Sequence, residues 1–311
     1  MSEGIDKSTG VSAGGQASPL KQATPKIKNK PTVKPQKEDA FTLAQDPLEQ
    51  KAGTIEKALS KAIPVSFSFT NSNGKTETIT IENKSISNGN ETYSIQIGKN
   101  KFTFTIPSNG NKGRELTRIL DYYTSIPTHL RDAVKRVAIH NGPHPDQGSQ
   151  NVAGTILGQA DTNTGIVNLY NYNSRDGSPI SKQLFNHESA HLIGLLVEDK
   201  NLIGVDPANH QRLLGSANYP PGWVKAIQAD RKAIKTPYGC ANIELIKNSS
   251  SFEALRMQRD APKEDFAEAW TLFMEARANQ KKLNSFIANY PNRFGILATI
   301  HDANAFKKVF Q

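Results

Sequence analysis

Residues 185–191 read Phe185-Asn186-His187-Glu188-Ser189-Ala190-His191, an H-E-x-x-H motif. On a helix, His187 and His191 fall one turn apart on the same face, so both imidazoles can reach one metal ion. Glu188 projects beside them and can take a proton from a water that the metal activates. That combination is the core of a zinc hydrolase, usually a peptidase. Chance produces the motif in about one chain of this length in a hundred, so its surroundings must decide. Ser178 or Ser181 can cap the helix, and Leu184, His187, His191 and Leu195 follow at i, i+3, i+7 and i+11. Two histidines and a carboxylate on a core-facing stripe are costly to bury without a partner, which favours a metal over plain packing.

A catalytic zinc usually takes three protein ligands and leaves one position open. The extended pattern H-E-x-x-H-x-x-G-x-x-H fits through Gly194 and fails at Val197, which cannot ligate. The third ligand must therefore come from another segment. Residues 262–270, Pro262-Lys263-Glu264-Asp265-Phe266-Ala267-Glu268-Ala269-Trp270, predict a second helix with Pro262 in its first turn and Asp260 as N-cap. Glu264 and Glu268 share a face, while Phe266, Trp270 and Phe273 form an apolar side. Like charges at i, i+4 repel, so an inward-facing pair needs a cation or hydrogen-bond donors. A zinc ion with two histidines supplies both. Glu264 is assigned as the third ligand, and Glu268 as the carboxylate that orients a ligand histidine.

The two segments together resemble the zincin-like metallopeptidase family of the anthrax lethal factor catalytic domain and the Pro-Pro endopeptidases. Those enzymes carry H-E-x-x-H and, later, a segment similar to Glu264-Asp265-Phe266-Ala267-Glu268-Ala269-Trp270. The resemblance spans roughly residues 150–300, is strong in the two motifs and weak between them. It implies a zincin-like fold, zinc bound by His187, His191 and Glu264, and a protein or peptide substrate. The family also places a tyrosine seven residues before the ligand glutamate to stabilise the oxyanion. Here that position is Met257, and Tyr238 is the candidate substitute if the intervening segment is an insertion.

The expected chemistry is hydrolysis. Zinc polarises the scissile carbonyl and activates water, and Glu188 takes the proton and delivers it to the leaving amine. Residues 164–170, Thr164-Gly165-Ile166-Val167-Asn168-Leu169-Tyr170, have strand character and precede the motif helix. Residues 166–170 are expected to be the sheet edge on which a substrate backbone pairs; an ordinary interior strand is the alternative.

The 311 residues suffice for one sizeable core and an additional module. A formal charge of +9 is compatible with anionic partners. No zinc finger, RNP-type aromatic motif or phosphate-binding glycine loop accompanies it, so nucleic acid is not the expected partner. The single cysteine, Cys240, allows no internal disulfide. The polar start, Met1 to Lys7, is followed by no apolar signal segment, and the longest apolar run, Leu192 to Val197, is far too short to span a bilayer. No membrane span is expected. Secretion by a route other than Sec, as an effector or toxin acting on a host protein, is the expectation from the polar, Ser-rich head. A cytoplasmic location is the alternative.

Residues 1–55 are expected to be disordered, for they lack the apolar content to offset ordering entropy. Residues 56–112 form a separate antiparallel module in this reading. Val65, Phe67 and Phe69, then Ile79 and Ile81, then Tyr93, Ile95 and Ile97, then Phe102, Phe104 and Ile106 alternate with polar residues. Asn73-Gly74, Asn88-Gly89 and Gly98-Lys99-Asn100 mark the turns. Residues 113–311 form the zincin-like catalytic domain, making the chain α+β. The rival function is a catalytically silent zincin-like binding module.

Overall fold

The computed structural model describes residues 47–146, 156–172, 181–198, 219–232, 234 and 252–310, with backbone alone for 47–49 and 252–261. The described chain is α+β, with one seven-stranded sheet. Helix α1 (Pro47–Leu59) leads into strands β1 (Val65–Thr70), β2 (Thr76–Ser87), β3 (Asn90–Ile97) and β4 (Asn100–Pro107). Helix α2 (Lys112–Ser125) and a 3₁₀ turn (Thr128–Ala133) precede β5 (Arg136–Ile139), β6 (Gly158–Asp161) and β7 (Ile166–Leu169). The rest is helical: α3 (Lys182–Leu196), α4 (Trp223–Asp230), α5 (Phe252–Ala276), α6 (Gln280–Asn289), α7 (Pro291–His301) and α8 (Ala303–Phe310). No helix among the described residues is long and apolar enough to cross a membrane.

The alternation in residues 65–107 becomes a meander whose apolar face lines up strand to strand. Phe67 stands opposite Ile79, Ile79 opposite Ile97, and Ile95 opposite Phe102. Ile79, Ile81, Tyr93, Ile95, Phe102, Phe104 and Ile106 are buried. The opposite face carries Ser66, Thr80, Thr92 and Thr105, whose hydroxyls bond across strands.

Residues 56–112 do not stand apart as a module. β4 pairs in parallel with β5 and β5 in parallel with β7, giving the order β1-β2-β3-β4-β5-β7-β6. The sheet and its core run straight across the expected boundary at 112. The physical reason is that β4 carries its apolar face on into Val137, Val167 and Leu169, all fully buried.

The expectation of disorder over 1–55 also needs correction at its end. Residues 1–46 lie outside the described residues, but residues 47–55 belong to α1. Ala52, Ile55 and Ala58 give that helix a buried stripe, and it packs on α2. Glu56 accepts a hydrogen bond from the Gly113 N–H at 2.8 Å, tying the two helices.

The edge assignment is reversed. β7, containing residues 166–169, is interior, flanked by β5 and β6, and among the described residues the sheet edge on this side is β6. A short antiparallel return through Gly165 lays β6 over what would otherwise be the open side. The Tyr170 N–H donates to the Leu157 carbonyl at 2.9 Å. Antiparallel alternation then turns Gln159 and Asp161 toward β7, leaving the N–H and C=O of Gly158 and Ala160 facing outward.

Candidate metal centre

The motif helix α3 starts where its cap dictates. The Ser181 hydroxyl accepts from the Leu184 N–H at 3.0 Å, so Ser181 rather than Ser178 is the N-cap. Every residue from Leu184 to Gly194 is buried, because α3 lies between β6 and β7 on one side and α5 on the other. The expected stripe ends early: Leu195 is exposed. The partner helix α5 begins at Phe252 and carries Pro262 inside it, not at its first turn. The proline ring removes one donor from the ladder there, and the downstream turns with Phe266, Trp270 and Phe273 stay buried against the core.

Three side chains converge between these helices. His191 Nε2 lies 3.2 Å from His187 Nε2. Glu264 places Oε2 3.2 Å from His187 Nε2 and Oε1 3.6 Å from His191 Nε2. Two nitrogens and one carboxylate oxygen thus sit together in a group that could hold a metal ion. Ligand atoms about 2.0–2.1 Å from a tetrahedral zinc stand roughly 3.3 Å apart, so the spacing matches the edges of such a site. Glu268, one turn beyond Glu264, puts Oε1 3.3 Å from His187 Nδ1 on the other edge of the ring.

The electrostatics suit a cation. Burial depresses the His191 imidazole to about 3, which keeps it neutral with a lone pair to give. Burial also pulls on His187, but the Glu264 and Glu268 carboxylates and the Glu188 charge outweigh it and raise His187 to about 10. Burial opposes ionisation of Glu264 too; the contact with His187 and the charges around it hold that carboxylate at about 2. A metal entering here would replace the proton on His187, so its uptake releases a proton.

Glu188 is buried beside the triad. Burial lifts its carboxyl to about 7, with Glu264 adding to the rise and His187 opposing it. Its carboxylate faces the edge strand: the outward N–H of Ala160 bonds to it. Gly158 makes room for it, since a Cβ at Gly158 would sit 2.7 Å from Glu188 Oε1 and 2.8 Å from Leu184 Cδ1.

The structure therefore brings His187, Glu188, His191, Glu264 and Glu268 into one place. Tyr238 lies outside the described residues, as does Cys240. Met257 falls on the α5 backbone. His140 and His144 do not join the group. His140 stacks on the Tyr170 ring and His144 meets that ring edge-on, with His140 Nε2 2.9 Å from Asn168 Oδ1 and His144 Nε2 3.0 Å from Gln159 Oε1. Sequence reasoning missed Gly158, whose only local signal is a glycine within a strand. It also missed the pair Asp265–Arg293, which no local pattern announces. No protein-family model matches this chain, and no curated protein matches its sequence.

Proposed function

We propose that the chain is a zinc-dependent endopeptidase of zincin-like architecture. The observation carrying this reading is the convergence of His187 Nε2, His191 Nε2 and a Glu264 oxygen at 3.2–3.6 Å, with Glu188 buried alongside. Zinc bound there would supply Lewis acidity, activating water and polarising a carbonyl. His187 and His191 orient it, and Glu268 holds the His187 ring from behind. Glu188 takes the proton of the attacking water and passes it to the leaving nitrogen. The outward backbone groups of Gly158 and the Ala160 carbonyl on β6 offer an extended peptide a strand to pair with, next to Glu188, which holds the Ala160 N–H. That edge supports a protein or peptide substrate over a small molecule.

A catalytically silent binding module is the second reading, favoured by Met257 at the position where the resembling enzymes carry tyrosine. Two measurements separate the readings. Elemental analysis should give about one zinc per chain in the wild type and marked loss in Glu264→Ala. Proteolysis of a denatured-protein and peptide-library panel should vanish in Glu188→Gln with zinc retained. A zinc-loaded wild type that cleaves nothing, and whose cellular effect survives Glu188→Gln, would establish the binding module.

A further inference from the structure

We propose that Arg293 is a positioning residue for the metal centre, holding the turn of α5 that carries Glu264 through its ion pair with Asp265. The inference rests on the zinc reading above. Asp265 follows Glu264 in the chain and points the other way, into the core, where it is buried. Arg293, on α7, is fully buried against it. Its Nη2 donates to Asp265 Oδ2 at 3.0 Å, and its Nε lies 3.0 Å from Oδ1. Its Nη1 donates to the Lys232 carbonyl at 2.8 Å and lies 3.8 Å from Asp230 Oδ2. Asp230 in turn accepts from the Asn292 and Arg293 backbone N–H groups at 2.8 and 3.2 Å, capping α7. One guanidinium thus ties together the end of α4, the start of α7 and the metal-bearing turn of α5.

Glu264 needs such a hold. Its side chain is 40% exposed, and among the described residues its carboxylate contacts only the two histidines. Its place before a metal arrives is set by those two contacts and by the backbone beneath it. Adjacent helical residues are fixed at about 100° from each other, so anchoring Asp265 fixes the direction in which Glu264 leaves α5. A 10° roll of the helix would carry a side-chain tip by about 1 Å. Metal–ligand distances tolerate about 0.2 Å. A buried Arg–Asp pair is a weak source of stability compared with apolar packing of the same volume, so its contribution here is geometric.

The test is zinc affinity on the full chain, by competition with a chromophoric chelator, beside the melting temperature of the chelator-treated protein. Arg293→Lys keeps the charge and loses the fork; Asp265→Asn keeps the shape and loses the charge. Each is expected to weaken zinc binding about tenfold or more. Leu297→Ala, one turn along α7 and equally buried, is expected to lower the melting temperature and leave zinc affinity unchanged. Wild-type affinity in Arg293→Lys and Asp265→Asn, or an equal loss in Leu297→Ala, overturns the inference while the zinc reading stands. A wild-type chain that takes up no zinc overturns both.

Discussion

Glu268 Oε1 lies 3.3 Å from His187 Nδ1, on the ring edge opposite the Nε2 that faces His191 and Glu264. A carboxylate on one nitrogen selects the tautomer that leaves the other free to ligate and fixes the ring plane. Glu268→Ala should therefore weaken zinc binding by about 10–100-fold. Chelator competition measures this directly, and wild-type affinity in the variant would mean that His187 is oriented without Glu268.

Gly158 should be intolerant of the smallest side chain. A methyl group there meets Glu188 Oε1 at 2.7 Å and Leu184 Cδ1 at 2.8 Å, so the carboxylate must move off the edge strand. Gly158→Ala should retain zinc and lose about a hundredfold in turnover, the scale of a misplacement near 1 Å. Full turnover in that variant would show that Glu188 does not work from the position described.

Zinc should stabilise the folded chain by mass action, because the three ligands are brought together only in the native state. A free concentration about a hundredfold above Kd contributes roughly 2.7 kcal/mol. Differential scanning calorimetry should show a rise in Tm with zinc in the wild type and little in Glu264→Ala. Equal shifts in both would place the stabilising zinc elsewhere.

Glu91 should control part of the acid sensitivity. Burial works against its ionisation, yet Lys112 at 2.6 Å, the Tyr93 hydroxyl at 2.5 Å and Lys84 at 2.9 Å hold its carboxylate at about 2. The folded value lies below the ordinary 4.5, so this stabilisation is fully present above that pH and fades as pH falls toward 2. Glu91→Gln should cost about 1–3 kcal/mol at neutral pH, the scale of lost hydrogen bonds to a charged group, since both lysines keep partial access to water. Its stability should also fall less steeply below pH 4.5 than that of the wild type. Parallel melting curves for the two chains across that range would refute the assignment.

Local chemistry was legible in the sequence, and non-local pairing was not. The strands of the meander follow from alternation and from turns such as Asn73-Gly74, which joins β1 to β2. The spacing of His187 and His191, and of Glu264 and Glu268, places each pair on one helix face, and the structure sets those faces against each other. Parallel pairing leaves no comparable trace. Nothing in Thr103–Thr105 announces that it will bond to Arg136–Ala138, so one continuous sheet looks in the sequence like a module and a domain. The same limit explains the edge: β6 is four residues long, without apolar alternation, and β7 has the stronger strand signal. Pro262 misled for a different reason. A proline suits a first turn, but the apolar contacts of α5 with α3 carry the helix past it.

The parallel junction of β4 with β5 bears on how the molecule keeps to itself. A chain begun at residue 113 would retain all five residues of the metal centre and would leave β5 with a bare row of amides and carbonyls. Such a row is a template for a strand from another copy. The first four strands thus act as a built-in cover for the half that carries the histidines, closing its β5 side and leaving β6, among the described residues, as the edge at that end of the sheet.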